Sequence, residues 1–200
     1  MSEPARRGRP GYDQRTLLDV AAAVFNQRGY DGTSMQDLSG RLGITKSAIY
    51  HHVDSKEELL RLALDRALDG LFAVVADVEH GAGPAIARLE ALVRGSVRVL
   101  DAELPFVTLL LRVHGNTEVE RAAMSRRREF DRIVADLVEQ AQADGDIRRD
   151  VDLEIAGRLL FGMVNSLVEW YRPRRTAGGH TEIADAVVAI AFDGMRTRRQ

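Results

Sequence analysis

One short segment of this 200-residue chain concentrates hydroxyl, imidazole and ammonium groups that can contact phosphates and base edges. Residues 33–56 contain the only two lysines, and their apolar spacing predicts a helix, a tight turn at Gly43 and a second short helix. Glycine suits the left-handed backbone of such a turn. In a helix-turn-helix, the N-terminal residues of the second helix enter the major groove of DNA. The side chains predicted to contact DNA from this segment are Thr33, Ser34, Thr45, Lys46, Ser47, Ala48, Tyr50, His51, His52 and Lys56.

These predicted contacts differ in kind. The residues from Thr45 to Ala48 open the second helix and are small or flexible, and Lys46 can reach a guanine edge or a phosphate. Backbone N–H groups at Thr33 and Ser34 can bind another phosphate at the start of the first helix. The turn alone equally allows a helical hairpin with solvent-exposed polar residues, so the residues around it must decide.

A second DNA-binding signal precedes the helices, at Arg7-Gly8-Arg9-Pro10. This tetrapeptide has the form of an AT-hook core, in which the glycine allows close approach to the groove floor. Arg7 and Arg9 would then enter a narrow A·T-rich minor groove, as the arms of homeodomains do. Such tetrapeptides also occur by chance, and the alternative is a disordered tail that carries arginines.

The elements that must position these residues are helical almost throughout. Apolar residues recur at helical spacing and no stretch alternates with period 2, so nine helices and an all-α fold class are predicted. The predicted organisation is a flexible basic arm at 1–11, a helix-turn-helix domain at 12–56, and a ligand-binding and dimerisation domain at 57–200. The predicted N-caps are Thr33 or Ser34, Thr45, Ser55 in a capping box with Glu58, Asn116 or Thr117, and Asp152.

The composition excludes several classes of protein. The absence of cysteine excludes a disulfide framework, a thiolate zinc site and a cysteine nucleophile. The net charge of −2 excludes a uniformly basic coat, but residues 1–56 carry 8 basic and 6 acidic side chains, so the DNA-facing part is slightly basic. The longest apolar-rich run, Leu159–Val168, is far shorter than the roughly 18 residues of a membrane span, and no signal peptide is visible. We therefore expect a cytoplasmic protein without a membrane partner.

The residues around the turn decide between the two interpretations, because they resemble the DNA-binding motif of the TetR family of bacterial repressors. The resemblance spans about residues 12–62 and implies a regulator that binds operator DNA. Val53 departs from the family pattern, in which Phe is commoner at this position. The shared residues are Ala21-Ala22, Val24-Phe25, Gly29-Tyr30, Gly32-Thr33, Gly43-Ile44, Ile49-Tyr50-His51-His52 and Ser55-Lys56-Glu57-Glu58-Leu59.

The last two helices carry apolar stripes that suit self-association. A dimer places two recognition helices about 34–36 Å apart on one face of DNA, which doubles the site that is read. In the TetR family these two helices form a four-helix bundle with their mates, and the resemblance implies the same here. Each stripe could equally face the core of a single protomer. The predicted dimer residues are Leu160, Met163, Val164, Leu167, Val187, Ile190 and Ala191.

The middle helices predict a ligand chamber. Residues 106–113 are nearly all apolar, and Gly162, which costs about 1 kcal/mol relative to Ala inside a helix, suggests a close approach. Asn165 needs a hydrogen-bond partner if it is buried, which a ligand or the core could supply, and Trp170 is either pocket wall or plain core. The predicted ligand-binding residues are Phe106, Leu110, Arg126, Phe130, Gly162, Asn165, Ser166 and Trp170.

This part of the chain also resembles TetR-family repressors that respond to acyl-CoA thioesters, most closely those of sterol-ring degradation. The resemblance implies a dimeric repressor that an acyl-CoA of lipid, sterol or aromatic catabolism releases from operator DNA. Arginines should then meet the CoA phosphates, although no single arginine is favoured. The shared strings are Leu111-Arg112-x-His114-Gly115-Asn116, Arg126-Arg127-Arg128-Glu129-Phe130, Gly145-Asp146-Ile147-Arg148, and Gly162-x-x-Asn165 followed by Trp170-Tyr171-Arg172-Pro173.

Three alternatives remain open at this stage. They are a regulator of efflux or drug response with a non-CoA ligand, an all-helical enzyme, and a ligand-free architectural DNA-binding protein. An enzyme is disfavoured because the sequence has no nucleophile elbow, P-loop or dinucleotide fingerprint. Asp77-x-x-His80 is a single pair, whereas a carboxylate di-metal bundle needs two. We therefore predict no enzymatic activity, no cofactor and no metal.

Overall fold

The computed structural model describes residues 13–172 and 179–197. Within these residues the chain forms nine α-helices and no strand, which confirms the predicted all-α class, and one isolated β-bridge joins Ile147 and Arg196. No helix in this part of the chain is long and apolar enough to span a membrane. The helices are α1 (Gln14–Arg28), α2 (Met35–Leu42), α3 (Lys46–Tyr50), α4 (Lys56–Glu79), α5 (Ala85–Ala102), α6 (Leu104–Arg112), α7 (Glu118–Ala143), α8 (Leu153–Trp170) and α9 (Gly179–Met195).

The chain divides into two compact units, one up to Ala63 and one from Leu64 onward. The first unit contains α1, α2, α3 and the first two turns of α4, and the second contains the rest of α4 and the helices that follow. Helix α4 is therefore the covalent link between the units. The domain boundary predicted at residue 56 falls at the first residue of α4, and it stays a prediction.

Side-chain caps begin several helices at the predicted places. Of the paired alternatives, Ser34 caps α2 and Thr117 caps α7. Before α4, Ser55 Oγ accepts a hydrogen bond from the Glu58 N–H at 3.0 Å. The Glu58 carboxylate accepts in return from the N–H of Asp54 at 2.6 Å, one residue before the expected cap. The reciprocal pattern of a capping box is thus present but shifted by one residue.

Helix α5 is central to the second unit, where it contacts α6, α7, α8 and α9. Its apolar face is closed to solvent, with Leu89, Leu92 and Val93 fully buried. At Gly95 the absence of a side chain allows α4 to approach closely, because a Cβ built there would lie 2.2 Å from Val74 Cγ1. A core packed this closely leaves little free space except where several helices together line a cavity.

Candidate DNA-binding surface and ligand cavity

The turn between α2 and α3 has the backbone geometry of a helix-turn-helix. Gly43 follows α2 with φ of 67°, in the left-handed region that favours glycine. The N–H of Ile44 then donates to the carbonyl of Ser39 at 3.1 Å. Thr45 begins α3, since its Oγ1 accepts from the N–H of Ala48 at 3.1 Å. Together these bonds fix the direction in which α3 leaves α2.

Helix α3 presents polar side chains to solvent on the face opposite its anchor. Ile49 is fully buried, and Ala48 is half-buried. The two predicted contacts in the N-terminal arm, Arg7 and Arg9, lie outside the described residues. The exposed residues in and after α3 are Thr45, Lys46, Ser47, Tyr50, His51 and His52, all of them predicted DNA contacts.

The N–H groups of Thr33 and Ser34, which were predicted to bind a phosphate, already donate hydrogen bonds inside the chain. The N–H of Thr33 donates to the carbonyl of Tyr30 at 3.2 Å, and its buried hydroxyl donates to that of Gly29 at 2.7 Å. The N–H of Ser34 donates to the Asp37 carboxylate at 2.8 Å. Hydrogen bonds from Ser34 also lower the pKa of the Asp37 carboxyl, which keeps a negative charge there. A phosphate bound by the N–H groups of Thr33 and Ser34 would have to replace these bonds.

Lys56 connects the α1–α2 loop to the beginning of α4. Its Nζ donates to the carbonyl oxygens of Tyr30 at 2.9 Å and Thr33 at 2.8 Å. The same ammonium lies 4.1 Å from the centroid of the Tyr30 ring, within cation–π range. Two of its three N–H donors are therefore engaged within the chain, which leaves one for any contact with DNA.

The second unit contains a small, largely apolar cavity of about 50 Å³, bordered by α4, α5, α6, α7 and α8. This volume is well below the roughly 300–1,000 Å³ that is usual for small-molecule sites, so wall residues must move before an acyl group can enter. Three side chains with strong polar groups, Arg127, Asp131 and Asn165, interrupt the apolar wall. The apolar part of the wall includes Leu68, Leu71, Leu110, Leu111, Phe130 and Phe161.

An open groove of about 630 Å³ runs between α7 and α8. It lies next to the cavity, with which it shares four wall residues: Arg127, Asp131, Phe161 and Asn165. The groove is cationic, because four arginines outnumber two acids. These charged residues are Arg127, Arg128, Arg132 and Arg158, against Asp131 and Glu154.

Asp131 lies where the cavity and the groove meet. Its side chain keeps contact with solvent, but desolvation by the surrounding protein raises the pKa of its carboxyl. The positive charges of Arg127 and Arg158 act in the opposite direction. Arg127 is itself oriented by a hydrogen bond that it donates to the carbonyl of Leu110 at 3.2 Å. At this junction, a hydrogen bond holds the positively charged Arg127 in place. Beside it, desolvation makes the ionised form of Asp131 less favourable than it is in water.

The structure brings together only part of the predicted ligand set. The cavity or the groove is lined by Leu110, Phe130, Gly162 and Asn165. Neither space is lined by Phe106, Arg126, Ser166 and Trp170. Phe106 is 1% exposed and belongs to the core, whereas Trp170 is 61% exposed on the outer side of α8. The Ser166 hydroxyl donates to the carbonyl of Met163 in its own helix.

Sequence reasoning missed Arg127, Asp131 and Phe161 as wall residues. A signal for two of them exists, because Arg127, Phe130, Asp131 and Val134 follow the i, i+3, i+4, i+7 spacing of one helix face. A polar pair on the same face as a predicted pocket residue is a stronger indication than the run of three arginines in which Arg127 stands.

Helices α8 and α9 each bury one apolar face and expose another. Of the predicted dimer residues, Met163 is half-buried and Ile190 is 70% exposed. The other five are buried in the protomer: Leu160, Val164, Leu167, Val187 and Ala191. The exposed apolar face of α8 instead carries Ile155, Leu159 and Trp170, at 54%, 65% and 61% exposure. Their spacing of 4 and 11 residues places all three on one side of the helix.

Comparisons with known proteins match both the DNA-binding part of the chain and the helical part that follows it. Residues 17–63 match the family described as bacterial regulatory proteins, tetR family, and residues 82–195 match the tetracyclin repressor-like C-terminal domain. The transcriptional repressor KstR2 of Rhodococcus jostii is 32% identical over 187 residues, which cover 90% of this chain and 89% of that protein. The structure of the ketosteroid transcriptional regulator KstR2 of Mycobacterium tuberculosis is 25% identical, with a TM-score of 0.83 over 94% of this chain and 98% of that one.

Two further solved structures are similar over most of their length. SCO3833, a TetR-family regulator of Streptomyces coelicolor A3, is 55% identical, with a TM-score of 0.86 over 93% of this chain and 94% of that one. AibR, solved with isovaleryl coenzyme A and operator DNA, is 28% identical, with a TM-score of 0.73 over 89% and 97%. The family matches, the relatives and the helix-turn-helix geometry agree. The chain therefore belongs to the TetR family of bacterial regulatory proteins, as a DNA-binding transcriptional regulator and not an enzyme.

Proposed function

We propose that the chain is a dimeric repressor that an acyl-CoA thioester releases from operator DNA. One observation supports this class of effector above all others: the apolar cavity lies next to the arginine-lined groove, and the two share wall residues. An acyl-CoA has the same division, since an apolar acyl group is joined to a nucleotide that carries several phosphates. A ligand that is apolar throughout would make no use of the positive charge of the groove.

The groove arginines suit phosphate recognition. Guanidinium groups bind phosphate oxygens through paired, charge-assisted hydrogen bonds. Arg128, Arg132 and Arg158 are exposed in the groove and can take this role, while the acyl group passes Arg127 into the cavity. The complex of AibR with isovaleryl coenzyme A supports the thioester class. The description of KstR2 as a ketosteroid regulator supports an acyl group derived from a sterol.

Helix α3 is the proposed reader of the operator. Its first residues are exposed or half-buried at the end that enters a major groove in helix-turn-helix proteins. Lys46 is the only charged residue among them, so it is the strongest candidate for a guanine or phosphate contact. The proposed DNA contacts are Thr45, Lys46, Ser47, Ala48, Tyr50, His51 and His52, together with Arg7 and Arg9 of the arm. Thr33, Ser34 and Lys56 would support this surface chiefly through their bonds inside the chain.

The proposed dimer uses the exposed faces of α8 and α9. A contiguous exposed apolar face is typical of an interaction site, and Ile155, Leu159 and Trp170 form one on α8. Gly162 and Ser166 lie on the same side and are small enough for a close helix approach. Ile190 is the exposed apolar residue of α9. The proposed occupant is a second copy of the chain, because a two-fold dimer supplies the second recognition helix that a palindromic operator requires.

We propose that helix α4 transmits the effect of ligand binding from the cavity to the DNA-binding helices. Leu68 and Leu71 of this helix line the cavity, while its first turns belong to the unit that contains α2 and α3. A coupling free energy of about 1–3 kcal/mol would weaken operator binding about 5–150-fold, and DNA would weaken ligand binding by the same factor. Since such a regulator acts where the bacterial chromosome lies, we also propose a cytoplasmic location.

Operator affinity in the presence of chosen ligands tests this function. The operator is first selected with the protein from randomised duplexes, and its affinity is then measured with isovaleryl coenzyme A, octanoyl coenzyme A, free coenzyme A and octanoate. We expect the two thioesters to bind and to weaken operator binding. The two fragments should bind far more weakly, because each fills only one of the two spaces.

Variants of the groove separate the thioester class from other ligands. Combining Arg128→Gln with Arg132→Gln should weaken thioester binding and leave operator affinity without ligand unchanged. Arg98→Gln is the matched control, because Arg98 is exposed on α5 and lies outside both spaces. Equal thioester binding by the groove variant and the control would contradict the proposal. Tight binding of an uncharged hydrophobe would point instead to an efflux-type regulator, and unchanged operator affinity with every ligand to an architectural protein.

A further inference from the structure

We infer that Arg126 is a positioning residue that couples occupancy of the cavity to helix α4. The inference rests on the proposed function, since it concerns how a ligand acts on operator binding. Arg126 belongs to α7 and lines neither the cavity nor the groove. Its Nη1 and Nη2 bind the carboxylates of Asp65 at 3.1 Å and Asp69 at 2.8 Å. These two aspartates are one turn apart on α4, so a single guanidinium holds one face of that helix.

A chain of aromatic contacts joins this guanidinium to the cavity. Arg126 Cζ lies 5.1 Å from the centroid of the Phe72 ring. The Phe72 and Phe130 rings meet edge to face at 6.5 Å, and the Phe130 and Phe161 rings do so at 5.1 Å. Phe130 and Phe161 are wall residues of the cavity. An unbroken series of packed side chains therefore runs from the ligand space to the cation that holds α4.

The cavity and the Arg126 guanidinium both border the same turn of α4. Leu68 lines the cavity from α4 and lies between Asp65 and Asp69 in the chain. A ligand that enters must displace wall residues, because the cavity of about 50 Å³ is too small for an acyl group. A close-packed interior then transmits the shift to neighbouring side chains. Displacement of Phe130 moves Phe72 and alters the position of Arg126 against the two carboxylates. Since α4 begins at Lys56 in the first unit, a change in how it is held reaches the DNA-binding helices.

The ion pair is too exposed to be chiefly a source of stability. The side chains of Arg126 and Asp65 are each 34% exposed, and that of Asp69 is 68% exposed. Pairs this accessible contribute little to folding, because water screens them. Arg126→Gln should consequently fold and melt close to wild type, which makes its effect on coupling measurable.

Arg66 provides a matched control on the same helix. It also makes a bidentate ion pair, from Nε and Nη2 to Glu103 at 2.6 and 2.9 Å. It also lies over an aromatic ring, that of Phe106 at 4.6 Å. Phe106, however, is not a wall residue of the cavity. Arg66→Gln therefore removes an equivalent contact of α4 without interrupting the path from the ligand space.

The first arm of the test measures the coupling factor, which is the ratio of operator Kd with and without saturating octanoyl coenzyme A. Arg126→Gln should bind octanoyl coenzyme A with unchanged Kd but reduce the coupling factor at least fivefold. Arg126→Lys keeps the charge but cannot hold both carboxylates in the same way, and it should restore the coupling only in part. Arg66→Gln should keep the wild-type factor. An unchanged coupling factor in Arg126→Gln, or an equal loss in Arg66→Gln, would overturn the inference.

The second arm needs no ligand, and so it separates this inference from the effector class. Leu111→Trp places a larger side chain in the cavity wall, with Leu111→Phe as a milder substitute if the first variant melts early. We expect it to weaken operator binding at least fivefold in the presence of Arg126 and less than twofold with Arg126→Gln. The same loss in both backgrounds, or no loss in either, refutes the role of Arg126. If wild type ignores both thioesters while this arm succeeds, the effector class is wrong and the coupling residue stands.

Discussion

Two lysines that lie only ten residues apart, Lys46 and Lys56, occupy contrasting environments. Lys46 is exposed at the first position of α3 and makes no hydrogen bond to the described residues. Lys56 donates to two carbonyl oxygens and lies over the Tyr30 ring. The sequence does not show whether a long, flexible lysine contacts DNA or the protein itself. The acceptors of its hydrogen bonds in the folded chain distinguish these two roles.

Substitution of the two lysines should therefore separate affinity from stability. Lys56→Met leaves the Tyr30 and Thr33 carbonyls without their donor and should lower the free energy of unfolding by about 1 kcal/mol. Lys46→Ala should leave that free energy within about 0.5 kcal/mol of wild type and weaken operator binding by about 1–3 kcal/mol. Urea unfolding followed by circular dichroism and operator titrations check both values. Equal destabilisation by the two substitutions would contradict this division.

A second prediction concerns Asp131, whose ionisation should make both stability and ligand binding depend on pH. Because desolvation raises the pKa of its carboxyl, the folded state holds the proton more tightly than the unfolded state. Its contribution to stability therefore falls as pH rises above the ordinary pKa of an aspartate carboxyl. The ionised carboxylate should also repel the phosphates of a bound thioester, so the proposed ligand should bind more tightly as pH decreases towards that value.

Asp131→Asn removes this charge and should tighten binding of octanoyl coenzyme A about two- to fivefold at neutral pH, since exposed charges interact weakly in water. The difference from wild type should shrink at lower pH, where Asp131 itself becomes protonated. Calorimetric titrations at several pH values measure it. A constant ratio across pH would show that the carboxylate does not face the ligand.

At the scale of elements, the close approach of α4 and α5 depends on a missing side chain. Gly95 faces Val74, and an added Cβ would meet its two methyl groups at 2.2 and 3.0 Å. In contrast, a Cβ at Gly194 in α9 would meet nothing within 4 Å. Two helical glycines that look alike in the sequence thus differ in what they allow, because only one lies at a helix crossing.

Gly95→Ala should destabilise the protein by about 1–2 kcal/mol, since overpacking exceeds the gain in helix propensity. Val74→Ala in the same chain removes the opposing methyl groups and should recover at least half of that loss. Gly194→Ala is the control, with an expected gain of up to about 1 kcal/mol. Free energies of unfolding in urea decide the matter, and additive losses in the Gly95–Val74 pair would refute the steric explanation.

At the scale of the whole molecule, the exposed apolar face of α8 is the feature that a single protomer does not explain. Ile155, Leu159 and Trp170 are each more than half exposed on one side of the helix. The residues predicted for self-association from the stripe through Leu160 and Val164 are instead buried inside the protomer. A dimer that covers the exposed face would leave that core intact.

Leu159→Glu should therefore yield a folded monomer at micromolar concentration, because two-fold symmetry places the new charge in the interface twice. Its operator affinity should fall at least about tenfold, as one recognition helix replaces two. Light scattering after size exclusion gives the mass, and circular dichroism verifies folding. Ala87→Glu, an exposed alanine on α5, is the control. A Leu159→Glu protein that remains a dimer would exclude this face as the interface.

The sequence by itself determined the features that depend on neighbours along the chain. Gly43 marks the turn because its left-handed backbone conformation favours glycine, and Thr45 caps α3 because its hydroxyl can accept from a free N–H group. For α2 and α7 the same rule reduced the cap to two adjacent residues, of which Ser34 and Thr117 proved to be the caps. These local rules were enough for the helix count, the helix-turn-helix and the exposed face of α3.

Only the tertiary structure decided which of several equivalent side chains lines a site. Arg126 and Arg127 are adjacent in the sequence, yet one binds carboxylates on α4 and the other lines the cavity. Helix α8 has two apolar faces, and periodicity cannot tell which is buried in the protomer, because both repeat with the same spacing. The neighbours that make this choice come from helices distant in the chain, and their arrangement depends on the packing of the whole unit.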